Sequence, residues 1–185
     1  IYFNNDITVL NHTLTMDCTS DANEVVLRKA DGNMGGIKVK KNSASHANLI
    51  INGSSTKQFV IAGCMAEDLV IEKVGNTYRA TAATTPSASA QTNSLMEFNG
   101  GTVTMTYVTL KTNWSTGYGG AIYMVQRDAI DTYPFNVTMN GCVIENCSAA
   151  NGGAMVLAGT EGYSAVNMNN CTVHNCLTRA LVDVD

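Results

Sequence analysis

One stretch of this chain is written twice and partly a third time, and that repetition constrains the fold more than any other feature. Val137-Thr138-Met139-Asn140-Gly141-Cys142-Val143-Ile144-Glu145-Asn146-Cys147 aligns without a gap with Val166-Asn167-Met168-Asn169-Asn170-Cys171-Thr172-Val173-His174-Asn175-Cys176. A weaker copy runs from Val103 through Val108 to Leu110-Lys111-Thr112-Asn113. Between copies lies a second matching piece, Gly119-Gly120-Ala121-Ile122 against Gly152-Gly153-Ala154-Met155. Val137 follows Val103 by 34 residues and Val166 follows Val137 by 29, spacings typical of arrays that stack one supersecondary unit on the next.

Inside each copy the apolar positions alternate with polar ones, which is strand chemistry. Val137, Met139, Cys142 and Ile144 point inward on this reading, and Thr138, Asn140, Val143 and Glu145 outward. The alternation slips at Asn140-Gly141 and at Asn169-Asn170, pairs that tolerate left-handed backbone and turn the chain. A second bend is expected at Asn146 and Asn175, and the Gly-Gly pairs mark a third place where no Cβ fits. Short strands joined by bends rather than hairpins describe one coil of a parallel β-helix. Stacked coils then place Val103/Val137/Val166, Met105/Met139/Met168, Val108/Cys142/Cys171 and Leu110/Ile144/Val173 in inward columns about 4.8 Å apart. Asn146 and Asn175 form an amide ladder at the bend.

The N-terminal half follows the same grammar less regularly. Ile7-Thr8-Val9 and Leu14-Thr15-Met16 begin the first coil, and strands follow at 35–39, 49–53, 59–63 and 69–71. Three stretches interrupt the pattern: a flexible loop insertion at 76–94, rich in Ala, Thr and Ser, and shorter excursions at 126–134 and 158–164. The 185 residues thus read as one all-β domain or a piece of a longer solenoid, with the clearest repeats over 98–182. The chain begins at Ile1, as a processed mature protein or a fragment would.

Composition removes several functions. The net charge is −4, the pI near 5.3, and only 14% of residues are charged, so there is no basic footprint for nucleic acid. No apolar run has the length of a membrane-spanning helix.

Gly-Gly-Ala-Ile or Gly-Gly-Ala-Met followed by a strand and an Asn-Cys turn resembles the repeats of polymorphic outer membrane proteins. More broadly the pattern is similar to the right-handed parallel β-helix repeats of the pectate-lyase-like superfamily. The resemblance implies a right-handed solenoid and a secreted or cell-surface protein, an adhesin, a passenger domain, or a carbohydrate-binding or carbohydrate-cleaving coil. It is specific for fold and silent on activity.

Of six cysteines, Cys142, Cys147, Cys171 and Cys176 form two in-register C-x4-C pairs. As separate columns they do not gather into a metal site. Cys147 over Cys176 is either a disulfide, since the rung spacing lies within the allowed Cα separation, or a pair of buried free thiols; Cys142 over Cys171 is a weaker disulfide candidate at an interior apolar position. Asn-x-Ser/Thr sequons fall at Asn11, Asn52, Asn113, Asn136, Asn146 and Asn170. In a eukaryotic secreted protein the first four and Asn170 are candidate glycan carriers, while a laddered Asn146 is not. Trp114 and Tyr118, flanked by Gly and Ser, are the candidate exposed aromatic pair for stacking on a sugar, and Arg127, Asp128 and Asp131 are the candidate polar contacts.

No cofactor or metal is implied. The function expected is a structural or adhesive extracellular surface that presents loops to a glycan or a surface protein without catalysis. A polysaccharide-active lyase or hydrolase using Lys111, Arg127, Asp128 and Asp131 is the alternative. A strand-rich C-terminal end with no capping helix leaves two expectations open, that the chain continues or that subunits associate end to end into a fibre.

Overall fold

The computed structural model describes residues 1–20, 23–30, 36–40, 47–81, 83–87, 92–125, 135–158 and 164–179. Among these the regular structure is all strand. The chain opens with β1 (Tyr2–Phe3), β2 (Ile7–Leu10), β3 (Thr13–Asp17) and β4 (Val25–Lys29). The next circuit is β5 (Ile37–Lys40), β6 (Asn48–Asn52) and β7 (Phe59–Ala62), followed by β8 (Ile71–Val74) and β9 (Thr77–Ala80). Then come β10 (Met96–Asn99), β11 (Gly101–Thr106) and β12 (Val108–Tyr118), and next β13 (Ile122–Val125), β14 (Phe135–Asn140) and β15 (Val143–Asn151). The last circuit is β16 (Met155–Ala158), β17 (Ala165–Asn169), β18 (Thr172–His174) and β19 (Leu177–Thr178).

All of these strands but β8 and β9 sort into three parallel sheets that the chain visits in a fixed cyclic order. Sheet I holds β2, β5, β10, β13 and β16; sheet II holds β3, β6, β11, β14 and β17. Sheet III runs β1, β4, β7, β12, β15, β18, with β19 also beside β15. The register is the one the repeats require: Val103 pairs with Val137 and Val137 with Val166, Met105 with Met139 and Met139 with Met168, Leu110 with Ile144 and Ile144 with Val173. Ile37, Val39, Met96, Phe98, Ile122 and Met124 of sheet I meet Leu49, Ile51, Val103, Met105, Val137 and Met139 of sheet II, and Leu27, Ile61, Leu110 and Ile144 of sheet III, in one continuous buried cluster. Inward-facing side chains of all three sheets therefore form a single core.

The bends also repeat. Tyr107, Gly141 and Asn170 have φ of 50°, 60° and 52°, and Thr112, Asn146 and Asn175 have φ of 53°, 53° and 48°. Gly119 and Gly152, at 57° and 62°, make the third column. Asn, Gly and their neighbours recur there because a left-handed residue is needed once per bend.

The strand expected at 69–71 is absent: Leu69 is buried, but Val70 is exposed and Ile71 opens an antiparallel hairpin, β8 with β9, closed by Gly75-Asn76. Part of 76–94, expected as a loop, is thus strand β9, and the excursion begins a dozen residues earlier. It lies against the outer face of sheet III, where Cys64, Met65 and Leu69 pack on Trp114 and Leu177 as a second, smaller core.

Candidate functional site

Inward positions on sheet I fix what its outer face presents. Because Ile7, Ile37, Met96 and Ile122 are in register and point inward, their successors Thr8, Lys38, Glu97 and Tyr123 form an outward column. Neighbours in that column stand about 4.8 Å apart. Lys38 Nζ pairs with Asp6 Oδ2 at 2.6 Å, and Asp6 Oδ1 accepts the Gly36 N–H at 2.9 Å. Burial pushes the Asp6 carboxyl up, but the Lys38 and Gly36 hydrogen bonds, with the charges of Lys38 and Lys40, outweigh it and hold the group below its ordinary value.

Tyr118 reaches the same wall from the end of β12. A register shift between Ser115 and Tyr118 bends the strand toward sheet I. The Tyr118 carbonyl accepts hydrogen bonds from Ser94 Oγ at 2.7 Å and Ser115 Oγ at 3.2 Å, and Gly119 N–H donates to Asn151 O at 2.8 Å. The clamped backbone lays the Tyr118 ring on that of Tyr123, with centroids 5.2 Å apart and planes 15° from parallel. Tyr118 is 52% exposed. The result is an offset-stacked aromatic platform on a stiff wall, with a carboxylate and an ammonium further along the same column. Such a platform offers an apolar face to CH-rich rings, and the flanking charges offer hydrogen bonds to hydroxyls.

The two aromatics expected to be exposed together are placed differently. Trp114 is not exposed: it retains 4% of its surface, and the Arg179 guanidinium lies 4.2 Å above its ring. The left-handed bend at Thr112 turns Trp114 outward from sheet III, and the excursion beginning at Cys64 then covers it. Tyr123 takes its place beside Tyr118. Strict alternation between inward Ile122 and Met124 marks Tyr123 as outward and was the available signal.

Arg127, Asp128 and Asp131 lie outside the described residues. Lys111 stands in an outward column of sheet III with Glu145 and His174, where His174 Nε2 is 3.1 Å from Glu145 Oε2. Nothing brings Lys111 to the tyrosine platform. Two clefts of about 320 and 540 Å³ border Cys64 and Ala66, one reaching Glu67 and Thr84, the other Tyr2 and Arg28. Among the described residues no three His, Cys, Asp or Glu side chains converge on a metal position. No helix there is long and apolar enough to cross a membrane.

Cys142, Cys147, Cys171 and Cys176 are free thiols. Cys147 and Cys176 face each other in register, yet each engages the carbonyl two residues before it, Glu145 O at 3.2 Å and His174 O at 3.3 Å. The Cys147–Cys176 and Cys142–Cys171 columns are therefore stacked thiols and not bridges. Burial, with the Cys176 thiol beside it, pushes Cys147 well above its usual value. Of the sequons, Asn11, Asn136 and Asn170 are exposed, and Asn52 is half-buried and donates to Asp17 Oδ2 at 3.0 Å. Asn113 is fully buried: its amide donates to Asn93 O and Gly120 O at 2.9 and 2.6 Å and accepts from Thr92 Oγ1. That placement removes Asn113 as a glycan carrier in the folded chain.

The chain matches no known protein-family model, and comparison with characterised proteins and with solved structures also gives no match.

Proposed function

We propose that this chain is an extracellular, non-catalytic surface domain that binds a glycan on the outer wall of sheet I. In this reading the three sheets are the walls of a right-handed parallel β-helix, and the bends and excursions decorate them. The observation that carries the proposal is the Tyr118–Tyr123 stack, half-exposed and fixed by two hydroxyls on its backbone. A preorganised aromatic surface of this kind binds without ordering a loop, which is the cost that weakens flexible sites. Glu97 and Lys38 supply the polar selectivity.

A panel of neutral and acidic oligosaccharides, screened by ligand-observed NMR and quantified by calorimetry, tests this. Binding is expected to perturb Tyr118 and Tyr123, and Tyr118→Ala is expected to weaken it about tenfold, the worth of one good aromatic contact. Absence of binding across the panel, or binding that Tyr118→Ala leaves unchanged, sinks the proposal.

A further inference from the structure

We infer that the Asn151–Gly152 peptide is a self-modifying site: Asn151 loses its side-chain amide to become isoaspartate, and the change releases the backbone clamp beneath the Tyr118–Tyr123 stack. The inference concerns the stack as a structure and does not rest on glycan binding.

Asparagine is followed by glycine at Asn52, Asn99, Asn140 and Asn151. Glycine has no Cβ to shield its backbone nitrogen or restrict its rotation, so that nitrogen can reach the preceding side chain. At Asn151 the Gly152 nitrogen gives its proton to hydroxide and bonds to Cγ. The Cγ–Nδ2 bond breaks, ammonia leaves with a proton returned from water, and a five-membered succinimide remains. Water then opens the ring. Cleavage between the nitrogen and Cγ yields aspartate, and cleavage between the nitrogen and the main-chain carbonyl carbon yields isoaspartate. No electrons are gained or lost, and solvent supplies every reagent.

The reaction needs an accessible side chain and a peptide that can turn, and the four sites differ in both. The Asn52–Gly53 peptide is held at both ends, Gly53 N–H on Thr106 O at 2.7 Å and Cys18 N–H on Asn52 O at 2.9 Å. So is Asn140–Gly141, with Gly141 N–H on Asn169 O at 2.9 Å and Tyr107 N–H on Asn140 O at 2.8 Å. Both side chains are engaged as well, Asn52 Nδ2 with Asp17 Oδ2 at 3.0 Å and Asn140 Oδ1 with Asn169 Nδ2 at 2.9 Å. Asn99 is half-buried and Gly100 is buried, away from solvent base. Asn151 alone of the four is exposed. Among the described residues no carbonyl accepts the Gly152 N–H, so the attacking nitrogen is not tied.

The placement of Asn151 gives the reaction a consequence. It is in register with Tyr118, and its carbonyl accepts the Gly119 N–H at 2.8 Å. In isoaspartate the main chain runs through the former side chain and gains one methylene, while that carbonyl becomes part of a free carboxylate. The acceptor that fixes the backbone just after Tyr118 is thereby moved, and a negative charge is set beside the stack.

The test incubates the full chain at mildly alkaline pH, folded and in urea, and follows all four sites by peptide mapping with isoaspartyl methyltransferase labelling. In the folded chain Asn151 is expected to lead, with Asn52 and Asn140 at least about tenfold slower because their hydrogen bonds must break first. In urea the four rates are expected to converge. Asn52, Asn99 or Asn140 keeping pace with Asn151 in the folded chain overturns the assignment, and so does the same lead for Asn151 in urea. The product carries one more negative charge, so anion exchange isolates it. Its Tyr118 and Tyr123 ring resonances are expected to differ from those of fresh protein, while Asn151→Gln, shown to be folded by circular dichroism, keeps its own fresh spectrum on ageing. Unchanged ring resonances in chain fully converted at Asn151, or the same drift in Asn151→Gln, overturn the link to the stack.

Discussion

Asn175 donates its side-chain amide to the Oδ1 of Asn146, one strand away in sheet III, and both residues hold left-handed backbone, with φ of 48° and 53°. Asn175 Nδ2 also reaches Leu69 O at 2.5 Å, tying the last circuit to the excursion. One residue type thus meets two demands, the strained backbone of a bend and the hydrogen bond that stacks bend on bend. The two can be separated. Asn146→Gly keeps the backbone and loses the amide, so it should cost about 1 kcal/mol. Asn146→Ala also meets the left-handed penalty and should cost about 2–3 kcal/mol. Urea midpoints of the two variants, compared at constant slope, decide whether the ordering holds.

This bend was legible in the sequence because both demands select Asn, and the same is true of Asn140-Gly141 and Asn169-Asn170. The inward columns were legible because parallel stacking forces equal residues to equal depth. Three features were not read. The Gly75-Asn76 pair between Ile71–Val74 and Thr77–Ala80 is a local hairpin signal, but the apolar run beginning at Leu69 pointed to a buried strand instead. Trp114 is covered by residues some fifty positions earlier in the chain, and no local pattern reports that contact. Lys29 falls in phase with inward Leu27, yet a lysine there is acceptable only because distant carbonyls receive its ammonium.

The glycines at the third bend are held by packing. A Cβ on Gly153 would sit 2.6 Å from Leu177 O and 2.7 Å from Leu177 N, both backbone atoms that cannot rotate away. Gly153→Ala should therefore destabilise the chain by about 1–3 kcal/mol and loosen β19 from β15. Gly117 has open space around its Cβ direction and no left-handed φ, so Gly117→Ala should be neutral or stabilising by about 0.5 kcal/mol. Equal melting temperatures for the two variants would contradict this account.

Lys29 makes stability depend on pH in an unusual direction. It is almost wholly buried, with Nζ 3.0 Å from Asn93 O and 3.3 Å from Ser94 O. Burial pulls its amine down from 10.5 to about 8, while nearby Cys64 and Asp6 pull the other way and Lys38 adds to the fall. Below about 8 both folded and unfolded chains are charged here, and the cost of burying the ammonium is present in full. Between about 8 and 10.5 the unfolded chain keeps a proton that the folded chain has released, so this residue's contribution to stability rises with pH. Cys142 acts oppositely: burial pushes its thiol from 9.0 up to about 11, which lowers stability across that interval. Comparison with Lys29→Met cancels the thiol effect. Wild type should gain about 1–3 kcal/mol relative to Lys29→Met between pH 7.5 and 10.5. Parallel stability curves for the two proteins would show that Lys29 is not buried as a near-neutral amine.

Sequon burial gives a prediction for a eukaryotic secretory host. Asn136 and Asn170 are exposed on sheet II and its bend, so both can carry a glycan without disturbing the core. Asn113 spends both amide hydrogens and its oxygen inside the protein, and Asn146 is locked beneath Asn175. A glycan at either site would remove those bonds and force a bulky polar group into the sheet III bend, at a cost well above that of one lost buried hydrogen bond. Peptide mapping of the secreted, folded fraction should therefore find sugar at Asn136 and Asn170, with Asn113 and Asn146 bare. Material glycosylated at Asn113 should be retained by the cell as unfolded chain, and its recovery in the folded fraction would contradict the placement of that side chain.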